Sequence, residues 1–73
     1  MKREIFYLYL SADKWLEFYS GKFNAIIVYS KSGKRLSIPA RNFIPYASFA
    51  GVKGTFQITF DANNKIVNLQ KVF

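Results

Sequence analysis

Apolar and polar positions change their period several times along this chain, and each change predicts a different element. Residues 3–10 are dominated by aromatic, β-branched and leucine side chains with little polar alternation, which is typical of a strand. Phe6 and Leu8 would face one side of that strand, and Tyr7 and Tyr9 the other. Because both faces are apolar, we expect this strand to be central in a sheet or covered on both sides.

The pattern then becomes helical. Ser11 is a good N-cap residue, Asp13 lies in the first turn where the helix dipole favours an anion, and Gly21 is placed to end the helix. One apolar stripe at helical spacing is formed by Trp15, Leu16, Phe18 and Tyr19. Leu10 and Trp15 occupy the positions of a hydrophobic staple, so we expect Trp15 to be buried.

A polar turn separates the next two apolar segments, residues 25–30 and 36–38. The turn contains Gly33, which accepts a positive φ angle, and this arrangement predicts a β-hairpin. Pro39 should end the second strand because it has no N–H to donate to a ladder. Residues 40–46 follow as a crossover with a helical turn at most, since Pro45 interrupts them.

A second hairpin is predicted over residues 55–60 and 66–72, around a polar turn at residues 61–65. The Gly-Val-Lys-Gly segment at residues 51–54 leads into it as a tight turn or bulge. In the first of these strands, polar Thr55, Gln57 and Thr59 alternate with apolar side chains. This alternation indicates one buried face and one face in water.

Together these elements predict an α+β protein with the order β-α-β-β-β-β. We expect a strongly bent five-stranded antiparallel sheet, or a small open barrel, with one N-terminal helix. The 73 residues form a single small domain, 1–73. A chain of this size buries only about 60% of its surface on folding, so its eight Phe, five Tyr and one Trp must provide most of the core.

A collinear series of short motifs carries a family resemblance over nearly the whole chain. It consists of residues 11–16, Tyr19-Ser20-Gly21, Ser32-Gly33-Lys34-Arg35, Ile38-Pro39-Ala40-Arg41, Pro45-Tyr46 and residues 51–56. The chain resembles the DUF2835 family, which are single-domain bacterial proteins of Gammaproteobacteria without an assigned function. The resemblance implies a fold and a length, and no activity. Ile44 stands where the family often carries Arg or Gln, so the resemblance implies no polar site there.

The composition argues against catalysis. The chain has no His and no Cys, and its carboxylates are Glu4, Asp13, Glu17 and Asp61. This leaves no general base of the usual kind, no thiol nucleophile and no metal-ligand set, so we expect neither an enzyme nor a bound metal or cofactor. Asp13 and Glu17 lie one helical turn apart, which is typical of a solvated helix face. The atoms of a Ser–Lys pair are supplied by Ser30, Lys31, Ser32 and Lys34, but on a hairpin turn without a pocket.

The net charge of +7 favours an anionic partner. The candidate residues for binding nucleic acid or another polyanion are Lys31, Lys34, Arg35, Arg41 and Lys53. Lysines at hairpin turns also serve solubility and prevent edge-to-edge pairing, and that explanation competes with binding. We therefore expect a basic binding module of weak, non-specific affinity, with a protein-interaction or self-associating module as the alternative.

Two segments partly resemble nucleic-acid-binding motifs, but neither has all the residues that its motif requires. Residues 53–60 begin and end like the RNP1 octamer of RNA-recognition motifs, but its third and fifth positions are Thr55 and Gln57 instead of the stacking aromatics. The stacking platform is therefore expected to be absent from this strand's face. Gly51 and Gly54 have the spacing of a GXXG phosphate clamp, but they lead into a strand, where such glycines usually form a turn.

The tyrosines leave two alternatives open. Tyr7, Tyr9, Tyr29 and Tyr46 could be exposed beside basic residues and stack on single-stranded bases, or they could pack the helix and close a barrel or homodimer interface. The need of so small a core for buried area favours packing. No segment has the length of a membrane span or a secretory signal, and no cysteine offers a disulfide, so we expect a cytoplasmic protein without membrane contact.

Overall fold

The fold is α+β, as predicted, and the computed structural model describes all residues, 1–73. Five strands and two helices follow in the order β1 (Lys2–Ser11), α1 (Ala12–Tyr19), β2 (Ala25–Tyr29), β3 (Arg35–Pro39), a 3₁₀ helix (Ala40–Tyr46), β4 (Gly51–Phe60) and β5 (Ile66–Lys71). The 3₁₀ helix is longer than the single turn expected there, and it contains Pro45 near its end. The expectation of one helix is therefore wrong.

The strands form two antiparallel sheets, one of three strands in the order β1-β4-β5 and one made of β2 and β3. The predicted single five-stranded sheet or open barrel is therefore wrong. The Lys31 N–H donates a hydrogen bond of 2.8 Å to the Ile5 carbonyl, which joins the hairpin to the edge of β1. β2 ends at Tyr29, before this hydrogen bond, so β2 and β1 do not pair as neighbouring strands of one sheet.

β1 lies at an edge of the three-stranded sheet, and only one of its faces is covered. Phe6 and Leu8 are buried, whereas the side chains of Tyr7 and Tyr9 are 57% and 60% exposed. The prediction that β1 is central or covered on both sides is therefore wrong. The helices and the β2–β3 hairpin pack against the other face of this sheet. Tyr7 and Tyr9 can remain on the uncovered face because a tyrosine hydroxyl is hydrated by water.

Three phenylalanines form the centre of the core, between the three-stranded sheet and the 3₁₀ helix. The ring centroids of Phe6 and Phe56 are 5.7 Å apart in a stacked pair, and Phe43 meets both rings edge-on at 6.2 and 5.3 Å. All three side chains are fully buried, so the 3₁₀ helix is anchored to the sheet through Phe43.

The predicted helix is confirmed. α1 begins after Ser11, whose hydroxyl accepts a hydrogen bond of 3.3 Å from the Lys14 N–H, and its chain direction changes at Gly21, which has a φ of +82°. Trp15 is 4% exposed, as predicted, and its ring packs against those of Phe18 and Tyr19. The helix thus contributes its single indole to the common core.

β4 begins at Gly51, four residues earlier than the strand predicted from the sequence. Gly51 pairs with Ser11 at the point where β1 passes into α1. A Cβ at position 51 would lie 2.1 Å from the Leu10 carbonyl oxygen, and the φ of Gly51 is +99°. The glycine therefore allows the two strands to approach more closely than any side chain permits.

Candidate nucleic-acid interface

The open face of the three-stranded sheet brings together side chains from all of its strands. The antiparallel register places Tyr7 opposite Thr55, Tyr9 opposite Lys53, and Gln57 between Ile5 and Gln70. We call this surface the tyrosine face, and its residues are Arg3, Ile5, Tyr7, Tyr9, Lys53, Thr55, Gln57, Thr59, Asn68 and Gln70, of which Thr59 is buried. It contains no carboxylate, since Glu4 points to the opposite side of β1.

Tyr7 and Tyr9 lie on the same side of one strand, so their attachment points are about 7 Å apart. This spacing is about twice the ~3.4 Å between stacked nucleotides of a strand. Bases on the two rings would be separated from each other, as in a single strand spread over an aromatic surface. Their strand is held firmly, because the intervening residue Leu8 and the preceding Phe6 are buried in the core.

Two cationic side chains flank the tyrosines. Lys53 lies directly opposite Tyr9, and Arg3 lies on β1 beyond Ile5. Both are exposed, and neither takes part in an ion pair, because the ion pairs of the structure are Lys14–Glu17 and Lys34–Glu4. Their charges therefore remain available to an anion that crosses the tyrosine face.

The five basic residues singled out from the sequence do not converge. Lys31, Lys34 and Arg35 lie at the turn between β2 and β3 or directly after it. Arg41 lies at the opposite end of that hairpin, in the 3₁₀ helix, where it lines an open cleft. Lys53 is in β4, on the tyrosine face. The structure therefore divides the predicted basic site into three separate places.

Lys34 is engaged in a network around Glu4 that ties the hairpin to β1. The Ser32 hydroxyl donates a hydrogen bond of 2.7 Å to Glu4 Oε1, the Ser30 and Ser32 hydroxyls are 2.9 Å apart, and Lys34 Nζ is 3.6 Å from Glu4 Oε2. The hydrogen bond from Ser32, then that from Ser30, and the charge of Lys34 hold the pKa of Glu4 below its ordinary value. The atoms of the supposed Ser–Lys pair are thus arranged around a carboxylate at the junction of the two sheets.

An open cleft of about 480 Å³ adjoins the tyrosine face beyond the end of β5. We call it the edge cleft, and it is lined by Tyr9, Tyr46, Ser48, Ala50, Gly51, Lys53 and Lys71. The Gly51 N–H donates a hydrogen bond of 2.9 Å to the Ser48 carbonyl, so it is not free to bind a phosphate in the way a GXXG clamp would. The glycine spacing therefore serves the backbone, as the sequence indicated.

The sequence left open whether Tyr7 and Tyr9 stack on bases or pack, and packing within the domain, which it favoured, is wrong for both. Thr55 and Gln57 do lie on the open face of β4, as predicted from the RNP1 comparison. However, the expectation that this face has no aromatic platform is wrong for the sheet, because Tyr7 is directly opposite Thr55 on the neighbouring strand. The alternation of tyrosines in β1 was visible in the sequence, but the pairing of β1 with β4 was not.

The remaining tyrosines lie elsewhere, and of these Tyr19, on α1, and Tyr29, on β2, are exposed. Tyr29 is 66% exposed and pairs with Arg35 across the two-stranded sheet, with Ile27 beside it. Tyr46 is half-buried, and its hydroxyl donates a hydrogen bond of 2.6 Å to the Leu69 carbonyl. A second, smaller aromatic and basic surface therefore exists around Tyr29, with one ring in place of two.

The acidic residues of α1 do not form a cluster with others. Glu17 lies 3.8 Å from Lys14 on the helix surface, and no three acidic side chains come close enough together to hold a metal ion.

Neither helix has the length and apolar composition that crossing a bilayer requires.

Comparison with known proteins identifies the family. The family model described as "Protein of unknown function (DUF2835)" matches residues 2–72, which is nearly the whole chain. No curated protein and no solved structure matches the chain. The resemblance carried by the collinear motifs is thereby confirmed, and the chain belongs to the DUF2835 family.

Proposed function

We propose that this protein binds single-stranded nucleic acid through the tyrosine face. The observation that carries the proposal is the pair of exposed tyrosines on one rigid strand, flanked by Arg3 and Lys53 and free of carboxylates. Proteins that bind single strands with little sequence preference combine aromatic stacking with a positive surface along the backbone. The tyrosine face has both components on one side of one sheet.

The expected binding is weak and tolerant of sequence. Stacking contributes about 1–3 kcal/mol per base, and two rings accommodate two bases. Gln57 lies opposite Ile5, next to Tyr7 along the face, and Gln70 and Asn68 extend the polar surface onto β5; such amide groups can meet the edge of any base. Most of the remaining affinity comes from phosphate contacts, so it falls with salt.

The test is fluorescence anisotropy of a labelled single-stranded RNA or DNA of about twelve nucleotides, a length within the range that such domains cover. At about 50 mM salt, Tyr7→Ala and Tyr9→Ala should each weaken binding by about 5- to 150-fold, which corresponds to the loss of one stacked base. Tyr29→Ala is the matched control, because it removes an equally exposed tyrosine from the other sheet. Its affinity should be unchanged.

Salt dependence provides a second measurement. With the two phosphate contacts that Arg3 and Lys53 offer, log K should fall with log salt at a slope of about −1.4. Lys53→Gln should reduce the magnitude of that slope, whereas Lys34→Gln should change it less, because Lys34 already faces Glu4. Absence of binding at low salt, or equal losses for Tyr9→Ala and Tyr29→Ala, would refute the proposal.

Self-association is the second candidate, and exposed apolar side chains on α1 favour it. Leu16 and Tyr19 are three residues apart on one side of that helix, and both are exposed. A small domain without disulfides gains stability when such surface is covered by a second copy. Sedimentation equilibrium of the wild type and of Leu16→Glu at about 100 μM tests this candidate, since only a dimer built on that face would dissociate in the variant. A wild type that stays monomeric removes it.

A further inference from the structure

Phe49 lies at the tip of the turn that precedes β4, and its side chain is 98% exposed. No other large apolar side chain of the protein is exposed to that extent. Ser48 and Gly51 form a β-bridge at the base of the turn and exchange two backbone hydrogen bonds of 2.9 Å. The Ala50 N–H donates a further hydrogen bond of 3.1 Å to the Ser48 hydroxyl. The exposed ring is therefore attached to a turn whose backbone is held in place.

The fold does not require an aromatic residue at this position. Tight turns favour Ser at their first position and Gly at their fourth, as in Ser48 and Gly51, and they place no such demand on the second. Phe49 belongs neither to the hydrophobic core nor to the side chains packed against it. Because so exposed a side chain contributes little to stability, Phe49→Ala should leave the thermal unfolding midpoint unchanged.

The turn lies next to the tyrosine face. The two chain neighbours of Phe49, Ser48 and Ala50, line the edge cleft. Tyr9 and Lys53, which are opposite each other on β1 and β4, line the same cleft. Phe49 is four residues from Lys53, so their Cα atoms are at most about 14 Å apart. A strand of about twelve nucleotides is roughly 40 Å long even when its bases are stacked. One strand can therefore reach both Tyr9 and Phe49.

The surroundings of the turn favour an anionic strand over a lipid surface. No carboxylate lines the edge cleft, and Lys53 takes part in no ion pair, so its charge is available to a phosphate near the turn. A single phenylalanine offers little apolar area to a membrane, where even one myristoyl chain gives only marginal binding. One ring is sufficient for one base.

We propose that the Phe49 ring stacks on a base of the strand that lies on the tyrosine face, as a third aromatic contact beyond Tyr9. This contact rests on the function proposed above and extends its binding surface. The strand runs along β1 from Tyr7 to Tyr9 and continues over the turn before β4. A phenyl ring has a π-face and no hydrogen-bonding group, so this contact accepts any base.

The first test repeats the anisotropy measurement with the same labelled oligonucleotide at about 50 mM salt. Phe49→Ala should weaken binding by about 5- to 150-fold, the effect of one lost stacked base. Phe49→Trp should retain affinity, whereas Phe49→Leu should lose nearly as much as alanine, because leucine is apolar but has no π-face. The salt slope should be the same in Phe49→Ala as in the wild type, since the ring carries no charge. Leu16→Ala is the matched control, because it removes an exposed apolar side chain from α1, and its affinity should be unchanged.

Fluorescence of Phe49→Trp tests the stacking directly. Trp15 is buried, so quenching of an exposed indole by iodide reports on position 49. The oligonucleotide should lower the emission of this indole and protect it from iodide. Leu16→Trp places a similarly exposed indole on α1 as the control. Equal protection of the two indoles would overturn the contact.

The outcomes separate this contact from the proposed function. Equal affinities of Phe49→Ala and the wild type, with the losses for Tyr7→Ala and Tyr9→Ala intact, overturn the contact and leave the proposed function standing. Full affinity of Phe49→Leu also overturns it, because the contact would then be apolar without stacking. A wild type that binds no oligonucleotide refutes the proposed function and this contact together. Sedimentation with phosphatidylglycerol vesicles that is lost in Phe49→Ala, with oligonucleotide binding unaffected, would assign the turn to a lipid surface and overturn the proposal.

Discussion

Gly51→Ala should be among the most destabilising small substitutions in this protein. An alanine Cβ at position 51 would lie 2.1 Å from the Leu10 carbonyl oxygen and 2.7 and 2.8 Å from backbone atoms of Ser11 and Ala12. The strands would have to separate by roughly 1 Å, and overpacking of this kind costs about 1–3 kcal/mol. The positive φ of +99° adds about 1–2 kcal/mol for a residue with a Cβ. The sum of about 2–5 kcal/mol is a large part of the ~4–11 kcal/mol expected for a domain of this length.

Gly33→Ala separates the two contributions. Gly33 also has a positive φ, of +87°, but an added Cβ would meet no atom within 4 Å. This variant should therefore lose only the conformational part, about 1–2 kcal/mol.

Urea unfolding followed by the fluorescence of Trp15 measures both variants. Because a small domain has an m-value of about 1 kcal/mol/M in urea, the midpoint should fall by about 1–2 M for Gly33→Ala and by about 2–5 M for Gly51→Ala. Equal midpoints for the two variants would refute the close approach of β4 to the β1–α1 junction. They would also refute the argument that Gly51 serves the backbone and not a ligand.

Two further predictions concern the core and the sheet junction. Trp15→Ala should reduce the free energy of unfolding by about 3–5 kcal/mol because it leaves a cavity in the core. Thermal unfolding followed by circular dichroism should show this loss. A fluorescence emission spectrum typical of an exposed indole in the native wild type would contradict the burial of Trp15. The pKa of Glu4 is lowered from 4.5, chiefly by the hydrogen bond from Ser32, so its contribution to stability is complete above pH 4.5 and is lost as the pH falls through the folded pKa. Glu4→Gln should therefore lower the urea midpoint at pH 7 more than at pH 3, and an equal effect at both pH values would show that the network contributes nothing through the charge.

Local signals in the sequence were sufficient for most elements. The cap at Ser11, the apolar stripe around Trp15 and Gly21 place α1 correctly, because capping and helical periodicity depend on residues within a few positions of one another. The hairpins were found for the same reason, since Gly33 and the polar turn after β4 act over short distances. The family could also be recognised from collinear motifs.

Strand pairing decided the rest, and it depends on contacts between residues far apart in the chain. β1 pairs with β4 about fifty positions away, and only this pairing brings Tyr9 beside Lys53. The same arrangement made β1 an edge strand and left Tyr7 exposed, contrary to the expectation from its two apolar faces.

The candidate sites follow the same division. The sequence gives the number of basic residues, but only the fold determines which of them lie near a carboxylate. It places Lys34 against Glu4 and leaves Lys53 and Lys71 without an ion pair. Composition and periodicity thus determined a small α+β domain that is basic and rich in aromatic side chains. Tertiary structure decided which aromatic and basic groups share a face. The helices and the β2–β3 hairpin all pack on one side of the three-stranded sheet, and so short a chain has no further element to cover the other side.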